Sequence, residues 1–273
     1  MTDWNEALYY GSFVKLAGDV KPSGSQLEIE QALEAEGYEL QQTVYGDDLA
    51  TDVDPHLGDP VSFGYIALSY RGELLIALRG TDTILEWLHD VDFLMVPSPV
   101  SEGFTDDGFT SIYKSLRIGK LTPDAPRISV KDYIKSQIDV GIVRSVTICG
   151  HSMGGALGTL LALDLARHTA CKELLVYTYA SPRVGDHLFV DEYKKYVTSS
   201  FRVANRLDLV TMMPTVFPLP YEHVQEHCEL KPDLGEIRFT IPCMHYMATY
   251  LYLVGKAAGN KQFALEADCM KRP

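Results

Sequence analysis

The chain has 273 residues, 46% hydrophobic and 22% charged, which fits a globular protein with a sizeable core and argues against disordered and fibrous classes. Aspartate and glutamate number 37 against 24 lysines and arginines. The resulting formal charge of −13 argues against nucleic-acid phosphates and strongly anionic bilayers as main partners and favours neutral substrates.

The start, Met1-Thr2-Asp3-Trp4-Asn5-Glu6, lacks the basic and apolar regions of a signal peptide, and no uncharged apolar run approaches the roughly 20 residues of a membrane span. A soluble chain with no visible address is expected, either cytoplasmic, or secreted by a signal-independent route or as a form trimmed of its signal. Cys149, Cys171, Cys228, Cys243 and Cys269 show no metal-ligand spacing, and their odd number leaves at least one thiol free. Whether Cys228 and Cys243 pair is left open.

In chain order, residues 4–16 and 26–35 carry apolar side chains at helical spacing and read as helices covering a sheet. Residues 38–44 form a short strand candidate, and 46–60, with five aspartates, an acidic loop without a calcium-binding pattern. Residues 61–70 and 73–78 are β-rich and joined by Arg71-Gly72, a hairpin signal. Pro97, Pro99, Gly103 and Gly108 make 93–109 an irregular connection, followed by a helical turn or two at 111–119 and a helix over 131–137.

Residues 145–149 are a short apolar strand. They lead into Gly150-His151-Ser152-Met153-Gly154-Gly155, and an Ala/Leu-rich helix ending at Arg167 follows. Strand, sharp turn and helix are the context that makes G-x-S-x-G a nucleophile elbow, with Ser152 above the strand end and near the positive end of the helix. Residues 174–179 and 201–205 read as further buried strands, 187–197 as a helix and 211–220, with three prolines, as a loop. Short β candidates at 221–230 and 236–241 precede a C-terminal helix at 246–258. Alternating strands and helices predict an α/β fold with a mostly parallel sheet, in which chemistry gathers at the carboxyl ends of the strands.

A serine hydroxyl needs a base to take its proton and an acid to orient that base, and behind an elbow the chain order is Ser, Asp or Glu, then His. Asp208 directly follows the strand 201–205 and is the acid candidate; Asp164, Asp186, Asp191 and Asp233 read as solvated charges. His245, between the last β candidate and the terminal helix, is the base candidate, with His223 kept as an alternative. The developing oxyanion needs donors, for which the backbone N–H of Met153 and the segment Gly80-Thr81 are best placed. From Thr83, Ile84, Leu85, Trp87 and Leu88 share one face of a short helix with a capping box. It could be a lid meeting substrate, or Trp87 could anchor it permanently.

Together these residues resemble the class 3 lipase family, the α/β-hydrolases related to fungal triacylglycerol lipases. The likeness rests on Leu78-Arg79-Gly80-Thr81-Asp82 with Trp87 and Asp90, the elbow, Ser181-Pro182-Arg183-Val184-Gly185, Arg202-Val203 with Asn205 and Asp208, Tyr221 with His223-Val224, and His245-Tyr246. It implies an α/β-hydrolase fold with a short helical lid at 83–92, Ser152 as nucleophile, Asp208 as acid, His245 as base, and Thr81 with Met153 as oxyanion donors. It also implies a structural place for His223 and no metal or organic cofactor. A single domain spanning 1–273 is expected, hydrolysing carboxylic esters, above all acylglycerols, through an acyl-enzyme. An esterase, a feruloyl esterase or a phospholipase on the same residues is the nearest alternative, and a non-catalytic lipase-like binding protein the alternative of another class.

Overall fold

The computed structural model describes residues 2–19, 26–47, 61–80, 94–119, 128–216, 219–225 and 227–271. The acidic loop beyond Asp47, Thr81 and the lid candidate 83–92 lie outside these residues.

Strands β1 (Tyr38–Gly46), β2 (Val61–Ser69) and β3 (Glu73–Leu78) form an antiparallel meander. Their β-branched and aromatic side chains suit a pleated surface buried on one or both faces. The β2–β3 turn is one residue longer than the sequence suggests. Tyr70 leaves the strand, and Gly72 takes φ 86° at the position where a three-residue hairpin turns left-handed.

From β3 the sheet becomes parallel, through β8 (Ser145–His151), β9 (Leu174–Tyr179), β10 (Ser200–Asn205) and β11 (His227–Leu230). Between β3 and β8 lie the short strands β4 (Met95–Pro97), β5 (Phe104–Asp106), β6 (Arg117–Ile118) and β7 (Ile128–Ser129). The nine-stranded order is β11-β10-β9-β8-β3-β2-β1-β6-β7, with β4 and β5 forming a separate ribbon. That ribbon replaces the irregular connection expected at 93–109. Glycine and proline confine it to three-residue strands joined by a turn in which Ser98 N–H donates to the Gly103 carbonyl at 3.0 Å.

Helices cover both faces. Helices α1 (Trp4–Asp19) and α2 (Gln26–Ala35) pack on one, together with the C-terminal helix α8 (Met247–Ala258). On the other lie α3 (Asp107–Ser115), α4 (Val130–Asp139), α5 (Met153–His168) and α6 (His187–Tyr196). Alternation along β3 divides the cores: Leu74, Ile76 and Leu78 join the α5 side, and Leu75 and Ala77 the α1 side.

Residues 236–241 are not a strand. Ile237 makes a lone antiparallel bridge to Met270, and the chain turns at Thr240 into the short helix α7 (Ile241–His245), where Pro242 at the start needs no N–H partner. The disulfide is Cys243–Cys269, not Cys228 with Cys243, and it pins α7 to the C-terminal segment. Cys149, Cys171 and Cys228 are free thiols. Asp164 and Asp186 are 5% exposed, not solvated. Each is buried because it is fully partnered: Asp164 accepts from Tyr113 Oη at 2.6 Å and lies 2.7 Å from His168 Nδ1, and Asp186 caps α6 through the Phe189 N–H at 3.0 Å.

Candidate active site

Strand β8 runs straight into α5, so the chain must reverse within one residue, and Ser152 takes φ 56° and ψ −127°. A non-glycine residue at positive φ is strained. The glycines around it are sterically required: a Cβ at Gly150 would lie 2.3 Å from the Gly154 carbonyl oxygen, and one at Gly154 2.5 Å from that of Leu78. The Ser152 N–H donates to the Tyr179 carbonyl at 2.9 Å, tying the elbow to β9. Met153 opens α5, so its N–H is among the first donors a helix leaves without an internal partner.

Asp208 leaves β10 by a turn in which its own N–H donates to Asn205 O at 3.0 Å, and its side chain then caps the following single 3-10 turn through Val210 N–H at 3.0 Å. Its other carboxylate oxygen faces His245. His245 Nδ1 lies 2.9 Å from Asp208 Oδ2, and His245 Nε2 lies 2.8 Å from Ser152 Oγ. All three residues are at most 2% exposed. The imidazole therefore has Nδ1–H donating to the carboxylate and a free lone pair at Nε2 towards the hydroxyl, the tautomer a proton acceptor needs.

His223 stands apart. Its Nε2 lies 2.8 Å from the Thr211 carbonyl, where it fastens the loop after Asp208. Burial, with Arg202 nearby, pushes its pKa down to about 3. Burial, with His245 nearby, pushes His151 to about 3 as well. In the unfolded chain both rings take up a proton below about pH 6.5. In the fold they stay neutral until about pH 3. The unfolded state therefore binds more protons across that window, and stability falls as pH drops from about 6.5 towards 3. Urea midpoints measured at pH 7.5 and pH 5 check this: the pH 5 midpoint is expected lower, and His223→Gln is expected to shrink the difference.

Two further residues adjoin the site, Tyr250 outside the motifs and Asn205 within one of them. Tyr250 Oη donates to Asp208 Oδ2 at 2.8 Å and accepts from Asn205 N–H at 2.9 Å. A tyrosine one turn into the C-terminal helix was the available signal. Tyr250→Phe leaves the Asn205 N–H and the carboxylate each short of a partner in a fully buried place. The expected cost is about 2 kcal/mol of stability, with kcat down about tenfold, read from urea unfolding and ester turnover. Asn205 donates from Nδ2 to the Met244 carbonyl at 2.9 Å, and its signal was an uncharged polar residue at the end of a buried strand.

A serine at a strand-to-helix elbow, hydrogen-bonded in series to a histidine and an aspartate, is an arrangement able to deliver an alkoxide to a carbonyl. The description Lipase (class 3) matches residues 75–217, more than half of the sequence. The chain belongs to the class 3 lipase family. The sequence is 28% identical to phospholipase A1-II 7 of Oryza sativa subsp. indica, over 75% of this chain and 59% of that protein. It is 26% identical to the chloroplastic galactolipase DONGLE of Arabidopsis thaliana, over 83% of this chain and 56% of that one. The chain thus spans a little under three fifths of the length of these relatives. Its fold matches that of a triacylglycerol lipase with a serine protease triad, at a TM-score of 0.61 and 23% identity, covering 83% of this chain and 79% of the other. The α/β-hydrolase architecture expected from the sequence is the one observed. Of the residues the family resemblance assigns, Ser152, Asp208 and His245 are brought together, and Met153 stands beside the serine. Thr81, Ile84, Leu85, Trp87 and Leu88 lie outside the described residues. No described helix is long and apolar enough to cross a membrane.

Proposed function

We propose that the chain is a serine hydrolase that cleaves the acyl esters of glycerolipids through an acyl-enzyme. The observation that carries this reading is the unbroken series from Ser152 Oγ to His245 to Asp208, with spacings of 2.8 and 2.9 Å. His245 Nε2 takes the Ser152 proton as Oγ attacks the ester carbonyl. Asp208 holds the Nδ1–H and stabilises the imidazolium that forms. The oxyanion is received by the Met153 N–H at the start of α5, together with Thr81. His245 then returns the proton to the leaving alcohol, and a water activated in the same way releases the fatty acid.

The choice of substrate rests on the relatives. A phospholipase A1 and a galactolipase align with three quarters or more of the chain, which favours acylglycerols with a polar head group over triacylglycerols. The exposed apolar side chains Leu209 and Met212 in the segment after Asp208, and Phe239 and Tyr246 flanking α7, suit an acyl chain better than a small polar ester. The test is fatty-acid release from mixed micelles of phosphatidylcholine, of monogalactosyldiacylglycerol and of triolein, alongside p-nitrophenyl butyrate, for the parent and Ser152→Ala. Ser152-dependent release that is fastest from the two polar lipids is expected. Preference for triolein would make it a triacylglycerol lipase, preference for the butyrate a short-chain esterase, and no turnover a binding protein.

A further inference from the structure

The main chain that carries the base is broken just after it. Helix α7 ends at His245, Tyr246 is extended at φ −54° and ψ 138°, and α8 starts afresh at Met247. The break deprives the carbonyls of Met244 and His245 of the N–H groups that a continuous helix would offer them. Both are taken up by side chains from the sheet. Asn205, the last residue of β10, donates to Met244 O at 2.9 Å, and His151 Nε2, from the last residue of β8, lies 2.7 Å from His245 O. The His151 ring also lies against the His245 ring at 4.7 Å between centroids, tilted by 42°, and edge-on to Tyr250 at 6.0 Å.

We propose that His151 is a positioning residue for the base: its Nε2–H holds the main-chain carbonyl of His245, and its ring backs the His245 imidazole, so that Nε2 of the base faces Ser152. This rests on His245 acting as base in the reaction proposed above.

The residue type follows from three demands. The group must donate, because a carbonyl can only accept. It must be neutral, because a positive charge 4.7 Å from the His245 ring would oppose the imidazolium that forms there on each turnover. It must be flat, to lie against an imidazole without displacing it. A buried imidazole that keeps its proton on Nε2 meets all three, whereas lysine or arginine fails the second and leucine the first. Asn205 holds the preceding carbonyl, so the base is moored to the ends of two parallel strands, one of which also leads directly into the nucleophile. Serine and base are thereby referenced to the same strand.

The experiment compares the parent with His151→Gln, whose Nε2 can occupy the place of the imidazole Nε2, and with His151→Met, of similar bulk but without a donor. His151→Asn, whose amide is too short to reach, stands in for the methionine variant if that one does not fold. Assays use the ester on which the parent shows Ser152-dependent turnover. The donor-less variant is expected to lose about 100-fold in kcat, the scale of a small misplacement of a reacting group, with KM within about twofold of the parent. His151→Gln is expected to recover most of that loss. The low-field proton resonance shared by His245 Nδ1 and Asp208 is expected to shift and broaden in the donor-less variant and to return in His151→Gln, which loosened packing elsewhere would not produce. A donor-less variant within about twofold of the parent in kcat, or a glutamine variant as impaired as the methionine one, overturns the assignment while leaving the hydrolase reading intact. A parent with no Ser152-dependent turnover overturns both.

Discussion

Ser152→Ala is expected to lower kcat by about 10⁶ while leaving KM within a few-fold of the parent, the loss seen when the nucleophile of such a triad is removed. That is about 8 kcal/mol of transition-state stabilisation. The size follows from the geometry. Ser152 Oγ is held 2.8 Å from His245 Nε2 by an elbow in which Gly150 and Gly154 admit no side chain. The fold should tolerate the change. Alanine removes one oxygen from a 1% exposed position and keeps the Ser152 N–H bond to Tyr179, so the urea midpoint is expected to stay close to that of the parent. Ester turnover and urea unfolding of the same preparations read both quantities.

Asp208→Asn is expected to lower kcat by about 10⁴ with little change in KM. The carboxylate accepts from His245 Nδ1 at 2.9 Å, from Tyr250 Oη at 2.8 Å and, through its other oxygen, from Val210 N–H at 3.0 Å. An asparagine keeps the shape but cannot accept on both oxygens. If its carbonyl remains on Val210, its amide faces Nδ1 and drives the imidazole proton to Nε2, the wrong side for accepting from serine. Unlike Ser152→Ala, this variant should also lose stability, because Tyr250 and Val210 compete for one remaining acceptor in a fully buried place. Steady-state kinetics above pH 8 check the tautomer argument: part of the lost kcat is expected to return as hydroxide replaces the general base.

The elbow was legible in the sequence because everything that forms it is local: an apolar strand, small residues where side chains collide, and an Ala/Leu-rich helix. The meander and the parallel strands were legible for the same reason, since their apolar runs are bounded by turns. Asp208 and His245 needed one further step, from chain order and strand ends to proximity across 37 residues, and the 2.9 Å contact between them agrees with it. Where the sequence misled, a distant partner decided. The stretch at 236–241 alternates polar and apolar residues as a strand does, but its pairing stops at the single bridge of Ile237 to Met270, and the disulfide from Cys243 to Cys269 fastens the helix that begins at its end. Asp164 and Asp186 look like surface charges until Tyr113, His168, Lys131 and the start of α6 are placed around them. Tyr250 stands outside the motifs, and Asn205 and His151, although they stand within them, have no role legible there; the convergence of the three on α7 and Asp208 supplies it.

The most direct measurement is the reaction of the parent protein with a fluorophosphonate probe, followed by peptide mass mapping and repeated with Ser152→Ala and His245→Ala. A nucleophile activated as the geometry requires is modified once per chain, at Ser152, with no labelling in the alanine variant at that position and labelling slowed by orders of magnitude without the histidine. An unlabelled Ser152 in folded protein, or labelling that proceeds equally fast without His245, would contradict the assignment of the site.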